Sequence, residues 1–399
     1  MLSFYKKIDY NIIVDLIKKK IGLIHHSTGF GGGTKSFVDL VNLLSSKFQL
    51  IIFLPTDAIL IQNLLKSHKI ILIDYPIPNI GLYSGGKNIF SRTFLLNLIY
   101  SFKYSKLIAS EINKEQLDYL ILNTIVITPL MKYIHSRTKV VVYCRETIIS
   151  YFHRLIYIKL LNRFGHAVFF ISKQELIKFK GLKTKKLFLP DTYDRKLIGE
   201  IELHEKKVND VKKIIYLGGL DIIKGFDTLL KSLKYFRVIN FKIKYYGSFD
   251  KSKISNTNLI KLLIRLNLRD FLFFFHIKIL LKKYMNFICF ENYTLNIEHE
   301  IYNSDLLVFP SSFPHQARPF IEAGTLRTLV LISDFKETRD IYINNSNCLT
   351  FKPRDSYNLS KQIKFALSNN HKIITDYNYN FTHSYFSPLF VQNALFSFF

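Results

Sequence analysis

Acidic residues are scarce in this 399-residue sequence, with 30 Asp and Glu against 56 Lys and Arg and a formal charge of +26. Such a balance draws anionic partners: nucleic acid, lipid headgroups or phosphorylated glycolipids. No compact basic–aromatic nucleic-acid motif accompanies the charge, so nucleic acid is not an expected partner and an anionic membrane surface is. Cysteine is nearly missing as well. Cys144, Cys289 and Cys348 are scattered without paired spacing, which argues against a disulfide framework or zinc site and fits a reducing cytoplasm. Long hydrophobic runs are lacking too, none approaching the ~20 residues of a membrane span. At the N-terminus Ile12, Ile13, Leu16 and Ile17 are interrupted by Asp15 and Lys18–Lys20, so the stretch does not read as a signal peptide. It reads as an amphipathic helix, lying on a membrane or on the protein's own surface.

What remains is ample for large cores: 48% of residues are hydrophobic and 15% aromatic, and the length suits two domains. Short β-rich runs at Ile21–Ile24, Phe48–Phe53, Lys69–Ile73, Tyr119–Leu122, Lys139–Tyr143, His166–Ser172 and Lys186–Leu189 alternate with helical stretches around 58–65, 94–107 and 129–134. That alternation predicts a parallel sheet with helices on both faces. Pro76–Gly86 reads as a surface loop. The stretch Ile148–Phe164, with Arg154, Lys159 and Arg163, reads as a basic helix that serves either packing or membrane contact.

Between the first strand and a helix carrying Phe37, Leu40, Val41 and Leu44 lies Gly29-Phe30-Gly31-Gly32-Gly33-Thr34. Glycines let backbone amides approach a ligand closely, and the helix start adds positive potential, so this is a candidate phosphate loop or else a flexible turn. No Gly-Lys-Ser/Thr follows in register, which excludes a Walker loop. A comparable arrangement begins the second half: a strand Lys213–Leu217, Gly218-Gly219-Leu220, then Lys224-Gly225 before Phe226, Leu229, Leu230 and Leu233 at helical spacing. A glycine turn with a lysine just before a helix suits a phosphate, with Lys224 as a charged clamp or else simply solvated. The run Phe271–Phe275 reads as a buried strand or helix. Further on, Ser304–Asp334 gives a buried strand Leu306–Phe309, a polar loop, a helix opening at Pro319 with Glu322 one turn in, and a strand Leu329–Ile332. In open α/β sheets such a loop, at the carboxyl end of a strand, binds ligands.

Taken in order, these segments resemble the family 4 glycosyltransferases. The matching features are the glycine loop after the first strand, Leu189-Pro190-Asp191 at the junction, Gly218, Leu220, Lys224 and Gly225, and Glu322-Ala323 in the central segment. The chain departs from that family in several places. Pro314 stands where a first glutamate belongs, Ala317 where a glycine does, Gly219 replaces one of two cationic phosphate clamps, and Arg327-Thr328-Leu329 replaces Gly-x-Pro.

The resemblance implies a GT-B fold of two Rossmann-like domains with parallel sheets facing a cleft. The expected division is 1–195 on the acceptor side and 196–376 on the nucleotide-sugar side, with 196–212 as linker and 377–399 returning to the first domain. It also implies retaining transfer of a sugar from a nucleotide-sugar donor to a glycan or lipid-linked acceptor of surface polysaccharide, without a cofactor or metal. Lys224 would neutralise the leaving diphosphate, with the amides of Gly31, Gly32 and Gly33 and the turn Gly218-Gly219. Glu322 would hold the ribose, and amides between His315 and Arg318 the sugar or phosphate. To this we add that Arg318 supplies the charge missing at Gly219. The histidine that the family places after the fifth strand is absent, and Arg145 or Glu146 stands there, either to position the sugar, as an ion pair, or as a helix start. A nucleotide-sugar epimerase of similar architecture and a binding protein with a decayed site stay open as alternatives. The expected location is the cytoplasm, peripheral on the inner membrane face.

Overall fold

A computed structural model describes residues 18–29, 31–82, 92–194, 199–201, 211–238, 240–247, 249–264, 268–291, 294, 296–316 and 318–399, with side chains at 92–95 and 97 left aside. The expected N-terminal helix around Ile12–Ile17, Phe30, Ala317, residues 83–86 of the Pro76–Gly86 loop and most of the 196–212 linker lie outside the described residues.

Two compact units form. One holds the described residues up to Ile171 with Phe179–Leu189 and Leu389–Phe399; the other holds Ser172–Lys178 and Pro190–Pro388. Pro190–Asp194 therefore folds with the second unit, whereas the 195/196 boundary read from the sequence falls outside the described residues. Of the segment 377–399, only its last residues join the first unit. There Val391, Leu395 and Phe399 are buried in the core, with Phe399 edge-on to Tyr119 at 4.9 Å between ring centroids.

The first unit is a seven-stranded sheet in the order β3-β2-β1-β4-β5-β6-β7. Its strands are β1 Lys20–Ile24, β2 Gln49–Pro55, β3 Lys69–Ile73, β4 Tyr119–Leu122, β5 Lys139–Cys144, β6 Ala167–Phe170 and β7 Lys185–Phe188. The second is six-stranded, β10-β9-β8-β11-β12-β13. It comprises β8 Lys212–Leu217, β9 Phe241–Tyr246, β10 Ile288–Glu291, β11 Leu306–Phe309, β12 Leu329–Ser333 and β13 Leu349–Phe351. All pairings in both sheets are parallel. The sequence foretells this in its unbroken apolar strands, because a parallel sheet is covered on both faces. In β4, β6 and β11 every residue is buried.

Helices follow the apolar spacing. Gly32–Ser45 buries Phe37, Leu40, Val41 and Leu44. Two expectations need correction. The 129–134 stretch belongs to a longer 3₁₀ helix, Ile125–Tyr133, with Pro129 inside it; proline has no N–H to give an α-helical turn. Phe271–Phe275 takes the helical alternative, within Leu268–Tyr284, but is not fully buried; the helix buries Ile277, Leu281 and Tyr284 instead. In each sheet the strand order reverses once, between β1 and β4 and between β8 and β11. These switch points are where loops splay apart and leave room for a ligand.

Candidate functional site

In the second unit, β8 leads into the Gly218–Gly225 turn and β11 into the Pro310–His315 loop, so the switch point brings the two segments together. Tyr216 of β8 supports the turn from below, its hydroxyl donating to the carbonyl oxygens of Gly219 at 3.1 Å and Lys224 at 3.4 Å. A Cβ at Gly218 would lie 2.7 Å from that hydroxyl. Asp221 caps the following 3₁₀ turn by accepting from the Ile223 N–H at 3.1 Å. Gly225 has φ +70°, and a Cβ there would sit 1.7 Å from the Pro310 carbonyl oxygen. The amide of Ser312 donates to the carbonyl of Ile223 at 2.9 Å, locking one loop onto the other.

This lock sets Lys224 Nζ 3.1 Å from His315 Nε2. Burial, with the lysine charge alongside, holds His315 well below the ordinary histidine range, so the ring is neutral. Its Nε2 accepts from the ammonium, which leaves the ring proton on Nδ1. His315 also stacks on Phe309 with ring planes 17° apart, and its carbonyl accepts from the Tyr342 hydroxyl at 3.2 Å. Burial pushes Lys224 down from the ordinary 10.5 to about 8, opposed by nearby Asp221. Among the described residues no carboxylate is hydrogen-bonded to this ammonium, which suits it to an incoming anion.

The helix Arg318–Thr325 starts one residue before Pro319 and is buried nearly throughout. Glu322 is only 4% exposed, so it is not a solvated helix residue. Arg318 Nε donates to Glu322 Oε1 at 2.9 Å, one turn apart and both buried. Glu322 thus gives the buried guanidinium of Arg318 the partner that its charge needs. Asp191 of the Pro-Asp junction lines a hollow with Arg318, Tyr342 and Phe386. Where the resemblance expects glycine, Arg327 takes φ +50°, the left-handed end of a helix, held over the Tyr379 ring at 3.5 Å and 3.3 Å from Asp376.

The first unit has its own switch-point cluster, and reading the sequence missed its centre, His25. The ring is buried against Phe37, stacked at 4.8 Å. Thr34 Oγ1 donates to the Gly29 carbonyl at 2.7 Å, so it accepts from His25 Nε2 at 3.0 Å. Asn123 then donates from Nδ2 to His25 Nδ1 at 2.9 Å and accepts from Arg145 Nε at 3.0 Å. A directed chain of hydrogen bonds therefore runs from β5 to the glycine loop. It requires a neutral ring, and burial holds His25 down to about 3. The pair His25-His26 ahead of the glycines was the signal available in the sequence.

Gly31, Gly32 and Gly33 open the helix behind that loop; Cβ atoms at Gly31 and Gly33 would meet nothing within 4 Å. Glu146 does not start the helix after β5, which begins at Tyr151 with Ser150 as its cap. Its carboxylate instead accepts from the Thr124 hydroxyl and the Ile125 and Arg145 amides, tying the β4 and β5 loops together. Burial raises its pKa, and the Thr124 and Ile125 donors oppose that rise. Among the described residues no group of three or more His, Cys, Asp or Glu is arranged to hold a metal ion. No helix among them is long and apolar enough to cross a membrane.

Residues 200–381 match the family model for glycosyl transferases, group 1. The chain carries a glycosyltransferase domain. It is accordingly a transferase, and solved structures show its fold to be GT-B. Anabaena HepE, in complex with UDP and glucose, aligns over 95% of this chain and 99% of its own at 15% identity, TM-score 0.67. Sucrose-phosphate synthase of Thermosynechococcus elongatus aligns over 96% and 98% at 13% identity, TM-score 0.71. The lipopolysaccharide outer core galactosyltransferase WaaB, in its apo form, aligns over 95% and 100% at 15% identity, TM-score 0.54. A search of curated protein sequences found no match.

Proposed function

We propose that this glycosyltransferase is a family 4 enzyme that transfers a sugar, with retention, from a nucleotide-sugar donor to a glycan or lipid-linked acceptor in surface polysaccharide assembly. The observation that carries the reading is the ammonium of Lys224, desolvated at the β8/β11 switch point and resting on a neutral histidine rather than on a carboxylate. In this reading Lys224 meets the diphosphate and offsets the charge that builds on it as the glycosidic bond breaks. Backbone amides at Gly218 and Gly219 and between His315 and Arg318 contribute further donors. Glu322 holds the ribose, its carboxylate oriented by Arg318, and so takes a binding role. The amides of Gly31–Gly33 form the phosphate-directed loop of the first unit, and Glu146 fixes the loops beside it. A UDP donor is supported by the nucleotide in the HepE complex, and a lipid-linked acceptor by the WaaB likeness. The charge of +26 supports work in the cytoplasm at an anionic membrane surface.

The deciding experiment incubates the protein with UDP-, GDP- and ADP-sugars, with and without lipid-linked glycan acceptors, and follows products and their anomeric configuration by NMR. An acceptor-dependent product with the donor's configuration supports the proposal. Inverted product overturns retention, an epimerised donor without acceptor replaces the proposal by an epimerase, and absence of nucleotide-diphosphate binding replaces it by a decayed site.

A further inference from the structure

The stretch from 256 to 284 is unusual for a surface element. Its sequence holds six cations, Lys261, Arg265, Arg269, Lys278, Lys282 and Lys283, and a single acid, Asp270. It folds into two helices, Asn256–Ile264 and Leu268–Tyr284, joined where Lys278 Nζ donates to Asn256 Oδ1. The longer helix buries Ile277, Leu281 and Tyr284, with Phe273, Phe274 and Leu280 packed on the same core.

A helix packed this way normally turns a polar face to water. This one does not. Leu268, Leu272, Phe275 and Ile279 are 54%, 62%, 45% and 52% exposed. Their spacing of i, i+4, i+7 and i+11 puts them in one stripe about 16 Å long, opposite the buried face. At about 100° per residue, Lys282 falls on one border of the stripe and Lys283 on the other, with Arg269 beyond. All three are exposed. The shorter helix adds Ile260, Leu263 and Ile264, exposed by 57%, 46% and 74%.

We propose that this helix pair is a docking face that lays its apolar stripe into an anionic lipid bilayer surface. The inference rests on the membrane-surface reading above and gives it a place. Large aliphatic and phenyl side chains enter the acyl boundary, and bordering lysines keep their ammonium groups at the phosphates while their stems lie along the apolar surface. Charge selects this occupant. A second copy of the chain would bring two strongly cationic borders together, whereas an anionic bilayer neutralises them. The helix Tyr151–Phe164 also exposes Tyr151, Phe152 and, one turn on, Leu155, but beyond them the exposed residues are Lys159, Asn162 and Arg163 and the apolar patch ends.

The test is flotation of the full chain with phosphatidylcholine vesicles, with and without phosphatidylglycerol. UDP binding and thermal melting are measured on the same samples. The parent should float with the anionic vesicles only. Leu272→Ser/Phe275→Ser/Ile279→Ser should lose flotation roughly tenfold or more, because interfacial binding scales with buried apolar area. Lys282→Glu/Lys283→Glu, confined to exposed positions, should lose it likewise, and Tyr151→Ser/Phe152→Ser should keep it. UDP binding and melting should match the parent in all three. Loss of UDP binding by the parent would count against the glycosyltransferase reading alone. The docking face is overturned if the parent floats on no vesicle or equally on neutral ones, or if the triple and the charge-reversal variants float like the parent. It is also overturned if the triple variant merely dissolves a dimer of the parent.

Discussion

Lys224 and His315 stand 91 residues apart in the chain and 3.1 Å apart in the fold. The β8/β11 switch point joins them, and the close approach of Gly225 to Pro310 fixes the distance. A cation that burial weakens and a neutral histidine supports gains more from an arriving diphosphate than a solvated lysine would.

Removing that cation should therefore harm binding without harming the fold. Lys224→Met is expected to weaken UDP binding by about 1.5–3 kcal/mol, the range for hydrogen bonds to charged groups. Its melting temperature should hold or rise, since a desolvated charge has gone. Calorimetry with UDP and a thermal melt check both halves; a fall in stability with intact binding would make Lys224 a structural residue.

Donor affinity should also depend on pH with a defined sign. Lys224 is pushed down to about 8, and the diphosphate binds its charged form. Affinity is therefore present below that value and is lost as pH rises through it, by about tenfold per unit once the free protein is deprotonated. UDP titrations from about pH 6.5 to 9.5 test the slope. Lys224→Met should be flat over the same window.

The Arg318–Glu322 pair separates folding from binding. Breaking a buried pair from one side typically costs about 3–5 kcal/mol, so Glu322→Ala should destabilise the protein strongly. Arg318→Met/Glu322→Met should recover much of that stability yet still bind UDP weakly if Glu322 holds the ribose. Denaturation of the single and double variants, with UDP calorimetry on the double, decides it. A double variant with parental affinity would confine Glu322 to the fold.

Glycines of the two turns should answer differently to one added methyl. Gly225→Ala puts a Cβ 1.7 Å from the Pro310 carbonyl at φ +70°, and loss of more than about 4 kcal/mol is expected. Gly33→Ala points into open space within a helix and should raise stability by up to about 1 kcal/mol. If the Gly31–Gly33 amides face phosphate, the same change weakens UDP-sugar binding more than uridine binding. Equal effects on both ligands would leave the loop structural.

In the first unit, Asn123→Leu interrupts the hydrogen-bond chain between Arg145 and His25 with little change of volume. It is expected to cost about 1–3 kcal/mol in stability, the penalty for buried polar groups left without partners. Faster hydrogen exchange should appear at the glycine loop as well as at β4. Loss confined to β4 would show that the chain does not hold the loop.

Period and punctuation were enough to read the first sheet and the strands β8, β11 and β12 of the second, but not β10, Ile288–Glu291, which follows a long Leu-, Phe- and Lys-rich stretch without clear punctuation. Buried parallel strands must be apolar throughout, so Leu120, Val141, Val168 and Val308 announce themselves locally, and Gly218 with Lys224-Gly225 marks a turn whichever fold contains it. The sequence also separated Glu322 from the glutamate missing at Pro314. It did not reveal that Arg318 occupies Glu322, that Lys224 meets His315, or that Glu146 ties two loops rather than starting a helix. Nor did it mark His25 as the hub beside the glycine loop, or Leu272 and Phe275 as exposed where a buried run was expected. The Arg318–Glu322 pair lies within one helix, and the exposure of Leu272 and Phe275 turns on which face of their helix packs; the others depend on which strand lies next to which. Strand periodicity is a property of a few neighbouring residues, but the order β10-β9-β8-β11-β12-β13 that joins residues 224 and 315 is set only when the whole sheet closes its hydrogen bonds and buries both faces.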